Sequence, residues 1–221
     1  MPIQRMVNTD FFKRWSPDMA YVLGFFAADG NMVQTKRNTH FLALHSADRD
    51  IILSIRKIMC SNHVVSKRVS DSGSVYRLQI GSKEIYYDLL QLGFCPGKSK
   101  RLSLPDIPKQ FLGDFVRGYF DGDGNVWIGY VNKKRPCPTP VLQVTFTSGC
   151  QSFLVDLKKL LNEAGVRGGC VFTSGKGNFS RLQFSTIGAL QLANTMYNRC
   201  SKLHLKRKKV RFDNFIKTRE R

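Results

Sequence analysis

The sequence predicts an α+β fold built as two pseudo-symmetric αββαββα halves, each with an antiparallel sheet. Three internal echoes predict it. Residues 22–30 (Val-Leu-Gly-Phe-Phe-Ala-Ala-Asp-Gly) return as residues 116–124 (Val-Arg-Gly-Tyr-Phe-Asp-Gly-Asp-Gly), and their final acids Asp29 and Asp123 lie 94 positions apart. Leu44-His45-Ser46-Ala47 is echoed by Phe146-Thr147-Ser148-Gly149 at an offset of 102, and Arg77-Leu78-Gln79-Ile80 by Arg181-Leu182-Gln183-Phe184 at an offset of 104. The growing offset places an insertion between the acid motif and the next strand of the second half, where Lys133-Lys134-Arg135-Pro136-Cys137-Pro138-Thr139-Pro140 reads as a longer loop.

The elements follow in the same order twice. Residues 1–15 read as a short helix or arm. Each motif run is apolar on nearly all sides, as in a helix buried between partners, and Gly24 and Gly118 at mid-run let two helix backbones approach closely. Strand pairs are predicted near 31–46 and 125–148, helices near 48–60 and 150–164, second strand pairs near 63–80 and 170–185, and last helices near 83–92 and 187–198. In the second pairs, alternation sets Leu78 and Ile80 against Arg77 and Gln79. An N-terminal half over 1–95, a Pro-, Gly- and Lys-rich linker over 96–108 and a C-terminal half over 109–221 follow, the last ending in a strongly basic tail from Lys202.

Charge narrows the partner. Thirty-five Lys and Arg oppose sixteen Asp and Glu in 221 residues, a net charge of +19 and a pI near 10.0. Such a surface repels itself unless a polyanion neutralises it, and nucleic acid is the usual one; an anionic membrane surface is the main competitor. No apolar run is long enough to span a bilayer, and the N-terminus lacks the apolar core of a signal peptide. The six cysteines form no Cys-x-x-Cys pair and no His-x-x-x-His accompanies them, which argues against zinc and for reduced thiols in an intracellular, reducing compartment: cytoplasm, nucleoid or organelle matrix.

An antiparallel sheet with helices on one face leaves the other wet. The polar strand and hairpin residues are Gln34, Lys36, Arg37, Asn38, Lys67, Arg68, Tyr76, Arg77 and Gln79 in the first half. In the second they are Trp127, Tyr130, Asn132, Lys133, Gln143, Thr145, Lys176, Asn178, Arg181 and Gln183. Any solvated sheet shows such residues. Arg, Lys, Asn and Gln are nevertheless the side chains that read base edges in the major groove, and the net charge favours double-stranded DNA as the partner.

The acids are the candidate chemistry. A carboxylate in the last turn of a helix faces the negative end of the macrodipole, at a cost of roughly 0.3–1 kcal/mol; Gly30 and Gly124 are expected to end each helix as left-handed caps. Packing the two motif helices together makes Asp29 and Asp123 neighbours. Their repulsion raises one pKa unless cations intervene, and hard divalent cations with oxygen ligands serve well. Phosphate oxygens would complete the coordination, giving metal-assisted phosphodiester hydrolysis.

These two motifs resemble those of the LAGLIDADG homing endonucleases in their single-chain, two-motif form, and the resemblance covers nearly the whole chain. Gly118-Tyr119-Phe120-Asp121-Gly122-Asp123-Gly124 is a very close match. The first motif departs from the pattern in carrying Ala27 where the family has its earlier aspartate; the family's metal-binding acid is the later one, which falls on Asp29 and Asp123. The resemblance thus implies metal sites at Asp29 and Asp123 with the preceding Ala28 and Gly122, and leaves Asp121 a structural role. It further implies an eight-stranded saddle over the major groove, one strand cut by each acid, short 3′ overhangs, and a Mg²⁺ requirement with Mn²⁺ or Ca²⁺ able to occupy the same sites. It also implies a monomer with no obligate protein partner and no membrane, and mobility of a host intron. A basic residue beside each metal site falls on Lys98 and Lys206, with Lys100 and Lys208 as alternatives. Polar residues near Ser46 and Ser148 would line a water pocket. An RNA maturase and a catalytically inert DNA-binding regulator are the rival readings; the four histidines form no HNH-type cluster.

Overall fold

A computed structural model describes residues 5–71, 73–198 and 203–219. Ahead of the first helix, residues 5–15 form an arm of turns rather than a helix. α1 (Pro17–Asp29) starts where Ser16 accepts the amide of Met19 at 3.1 Å and Pro17 supplies a preset φ. β1 (Gly30–Gln34) and β2 (His40–Ser46) form a hairpin, followed by α2 (Arg49–Ile58), β3 (Val65–Ser70), β4 (Gly73–Gly81) and α3 (Lys83–Gln91). The second half repeats this as α4 (Leu112–Asp123), β5 (Gly124–Val131), β6 (Thr139–Ser148), α5 (Gln151–Glu163), β7 (Cys170–Thr173), β8 (Ser180–Ser185) and α6 (Thr186–Tyr197). The basic tail is itself a helix, α7 (Lys206–Arg219), with Lys208, Phe212 and Phe215 buried; its dense charge masked a sparse apolar stripe.

The two sheets have identical antiparallel order, β1-β2-β4-β3 and β5-β6-β8-β7. Their inner faces are apolar: Met32, Leu42, Leu44, Leu78 and Ile80 in one, Val126, Leu142, Val144, Phe146, Leu182 and Phe184 in the other, all buried. Onto them α2 lays Ile51, Ile52 and Ile55, and α5 lays Phe153, Leu154, Leu157 and Leu161, each set a single helical stripe. α1 and α4 pack along each other between the sheets, and one continuous core runs through both halves. The cysteines 60, 95, 137, 150 and 170 are unpaired; Cys200 lies outside the described residues.

One expected cap is corrected. Gly30 and Gly124 are extended (φ −92°, ψ 155° and φ −87°, ψ 153°), so each helix passes into a strand with no left-handed residue. Glycine is required there by contact. A Cβ on Gly30 would lie 2.2 Å from Cδ2 of Phe26, and one on Gly124 2.1 Å from Cδ2 of Phe120.

Candidate functional site

The site grows from the α1–α4 contact. A Cβ on Gly24 would stand 2.0 Å from the carbonyl oxygen of Phe115, and one on Gly118 2.0 Å from that of Tyr21, so both backbones touch at symmetry-related points. The contact persists to the helix ends: at Gly122 a Cβ would meet Cβ of Ala28 at 2.3 Å and Oδ2 of Asp29 at 3.3 Å. Asp29 and Asp123 therefore come together at one end of the helix pair. Burial and the neighbouring Asp123 carboxylate push Asp29 up to about 6, against the pull of Lys208 and Lys98. Asp123 is more open to water, yet the protein crowded around its carboxylate raises its pKa too, with the same two lysines opposing.

Two buried lysines cap these ends. Lys98, in a short 3-10 turn (Lys98–Lys100), donates through Nζ to Ala27 O at 2.5 Å and Ala28 O at 3.2 Å. Lys208 donates to Phe120 O at 2.6 Å, Asp121 O at 2.8 Å, Gly122 O at 3.4 Å and Gly124 O at 2.7 Å. The shared carbonyls, 27 and 28 in one half and 121 and 122 in the other, make Lys208 the counterpart of Lys98. This corrects the assignment to Lys206, which is exposed at the start of α7, as Lys100 is exposed in its own turn; helical phase turns position 208, not 206, toward the motif helix. Cations here satisfy carbonyls that the helices leave unpaired. Burial lowers both lysines to about 8; Asp123 and Asp29 pull Lys98 back up, and Asp121, more than those two, pulls Lys208 back up.

Across each sheet the acids have further neighbours. One residue beyond the Gly30–Leu44 pair, His45 comes opposite Asp29, and His45 in turn pairs with Arg77. Burial, and more weakly Arg77, lowers the His45 pKa. Thr147, paired with Arg181, holds the same position opposite Asp123. Continuing the antiparallel register from the acid motif is the signal that would have singled out His45. Ser46 and Ser148 instead accept the amides of Asp48 and Cys150 at 3.1 Å each and so cap the strand-to-helix turns. Asp121 is buried and accepts from Tyr21 and Leu205 N, each at 2.8 Å.

Register sorts the predicted sheet residues. Arg68, Arg77, Gln79, Trp127, Gln143, Thr145, Arg181 and Gln183 share the wet faces. Gln34, Lys67, Tyr76 and Tyr130 are corrected: they carry the parity of the inward residues Met32, Leu78, Leu78 and Val126, and Tyr76 packs against the core. Lys36, Arg37 and Asn38 are exposed in the β1–β2 turn, Asn132 and Lys133 in the β5–β6 loop, Lys176 and Asn178 in the β7–β8 turn. Asn38 and Asn132 both take positive φ (58° and 53°). The wet faces also include the polar Asn31, Ser66, Asn125 and Thr147 and the apolar Val33, Phe41, Val141 and Phe172, the last four of which polarity does not identify.

The donor set suits a hard divalent cation. It offers two carboxylates and the carbonyls of Ala28 and Gly122, all oxygen. Among the described residues no group of three or more His, Cys, Asp or Glu could hold a metal by itself. With so few protein carboxylates, a hard cation held here would complete its shell with water and other oxygen ligands.

The family model described as LAGLIDADG-like domain matches residues 16–92 and again 110–186. No curated protein matches the sequence. Among solved structures, the I-LtrWI LAGLIDADG homing endonuclease bound to target DNA is similar at 10% identity, covering 96% of this chain and 92% of that one, with a TM-score of 0.59. I-DmoI in complex with DNA and Ca is similar at 13% identity over 95% and 99% of the two chains, with a TM-score of 0.58. LAGLIDADG meganuclease I-AabMI bound to uncleaved DNA is similar at 13% identity over 93% and 91%, with a TM-score of 0.60.

Proposed function

This chain belongs to the LAGLIDADG-like domain family in its single-chain, two-motif form, and from that membership we propose that it is a site-specific DNA endonuclease. The observation that carries the reading is the pair of carboxylates, Asp29 and Asp123, held side by side where two helix C-termini touch. Nothing in helix packing requires acids at the negative ends of two helices. Their placement opposes stability, as expected of groups kept for chemistry.

In this reading the wet sheet faces seat a DNA duplex, with Arg77, Gln79, Arg181 and Gln183 toward base edges and the hairpin lysines and arginines toward phosphates. Each acid serves one strand. A divalent cation, when bound by Asp29 and Asp123 with the carbonyls of Ala28 and Gly122, supplies water activation and leaving-oxygen stabilisation. The chain's own contribution is positional and electrostatic. Lys98 and Lys208 place positive charge beside the carboxylates, where it opposes the charge that accumulates on phosphorus oxygens in the transition state. His45 and Thr147 offer hydrogen bonds to solvent beside each acid. The cuts would leave 3′ overhangs and promote mobility of a host intron, with the protein acting as a monomer.

The test is cleavage of a duplex made by rejoining the sequences that flank the coding region in its genome. Double-strand cutting with Mg²⁺ and none with EDTA supports the reading. Binding without cutting in Mg²⁺ indicates the inert regulator, and preference for folded intron RNA indicates a maturase.

A further inference from the structure

We propose that Asp121 is a positioning residue which seats Lys208 in the second half-site by clamping the chain ahead of α7 to Tyr21 of the first half. This rests on the nuclease reading only for its consequence in cleavage, not for its geometry. Asp121 is 2% exposed, and its Oδ2 accepts both the Tyr21 hydroxyl and the Leu205 amide at 2.8 Å. Leu205 is the residue before α7, and its carbonyl accepts the amides of Lys208 and Lys209 at 3.0 and 3.1 Å. Fixing Leu205 therefore fixes the turn that carries Lys208. A second anchor lies beside it: Arg117, 1% exposed, donates to Leu203 O at 2.9 Å and Met196 O at 2.7 Å while paired with Asp114.

The first half does the same task without polar groups. Offset by 94 residues, Asp121 becomes Ala27, Tyr21 becomes Phe115 and Arg117 becomes Leu23. Lys98 stands on its own tight turn, entered through Gly97 at φ 68°. One fold thus holds one lysine with apolar packing and the other with a buried carboxylate that spans the two halves. Burying that carboxylate costs stability, and its other oxygen has no hydrogen-bond partner among the described residues. An apolar pair suffices structurally in the first half, so the directional bond to Leu205 is what the acid adds.

The experiment compares lysine acetylation by acetic anhydride, read peptide by peptide, in the whole protein and in Asp121→Ala, Asp121→Asn and Tyr21→Phe. Ala and Phe are the residues that already stand at the symmetry-related positions, Ala27 and Phe115, which favours folded variants. In the unaltered protein Lys98 and Lys208, each 6% exposed, react slowly. In Asp121→Ala, Lys208 should react roughly tenfold faster, the scale of one lost hydrogen bond to a charged group, with Lys98 unchanged. Asp121→Asn, which keeps an acceptor for Leu205 N but not the negative charge near Lys208, should restore part of the protection, and Tyr21→Phe should raise Lys208 reactivity only slightly. On end-labelled duplex, Asp121→Ala should slow cutting of one strand more than the other. Equal gains at both lysines, or none at Lys208, overturn the proposal. If acetylation follows the expected pattern but the unaltered protein cuts no duplex, the seating of Lys208 stands and the nuclease reading fails.

Discussion

Gly24 and Phe115 meet with no room for a methyl group: a Cβ at residue 24 would stand 2.0 Å from the Phe115 carbonyl oxygen. The obstacle is main chain within a helix, which cannot move aside as a flexible side chain can. Gly24→Ala should therefore separate the two motif helices or fail to fold. The expected loss is at the upper end of, or beyond, the ~1–3 kcal/mol typical of overpacking, and Gly118→Ala should match it because the contact is symmetric. Thermal unfolding of the two variants checks this; an unchanged Tm in either would contradict the close approach.

The acids carry the chemistry in the proposed function and contribute little to holding DNA, so binding and cutting should separate. Asp29→Asn and Asp123→Asn are each expected to abolish double-strand cleavage while leaving affinity for the duplex within a few-fold. Gel-shift and plasmid-cleavage assays on the same preparations decide it. Full-rate cutting by either variant removes that acid from the site.

Much of this architecture was legible because the duplication makes the sequence its own comparison. Three echoes at slightly different offsets located the repeated helices, both sheets and the insertion, and paired Asp29 with Asp123. What escaped was whatever depends on a neighbour distant in sequence. Gly30 looked like a left-handed cap because glycine usually ends helices that way, whereas the Phe26 ring is what excludes a side chain. Lys206 and Lys208 are indistinguishable in a basic run until helical phase shows which one turns inward. Tyr76 and Lys67 are polar enough to suggest a wet face, but period-2 parity assigns them to the other side. His45 became visible only when the ladder brought it opposite Asp29.

The acids should make the fold pH-sensitive in a definite direction. Asp29 rises from an ordinary 3.8 to about 6 in the folded chain, so between those values the folded state holds a proton that the unfolded state has released. Stability contributed by this group is present at low pH and lost as pH climbs from about 4 to 6. Asp29→Asn removes the ionised group and should raise stability at pH 7 by ~1–2 kcal/mol, discounted from ~1.4 kcal/mol per pKa unit for partial hydration. Near pH 4 the gain should vanish. Denaturant unfolding at the two pH values measures it, and an equal gain at both would assign the effect to packing rather than charge.

The same repulsion should be relieved by a divalent cation, which gives a binding test free of DNA. Ca²⁺ at pH 7 should raise the Tm of the unaltered chain, because a cation held only by the folded state stabilises it by RT ln(1 + [L]/Kd), ~2.7 kcal/mol at a hundred times Kd. The shift should shrink at pH 5, where Asp29 is largely protonated, and disappear in the Asp29→Asn, Asp123→Asn double variant. Lowered lysines add a second signature. Lys98 and Lys208 fall from 10.5 to about 8 in the folded chain, so the unfolded state binds the extra protons between those values, and stability from these groups rises with pH above about 8. Losing both acids removes the charges that pull Lys98 upward and part of those that pull Lys208, where Asp121 remains. The double variant should therefore begin that rise at lower pH, and a Ca²⁺ shift that survived in it would place the cation elsewhere on the protein.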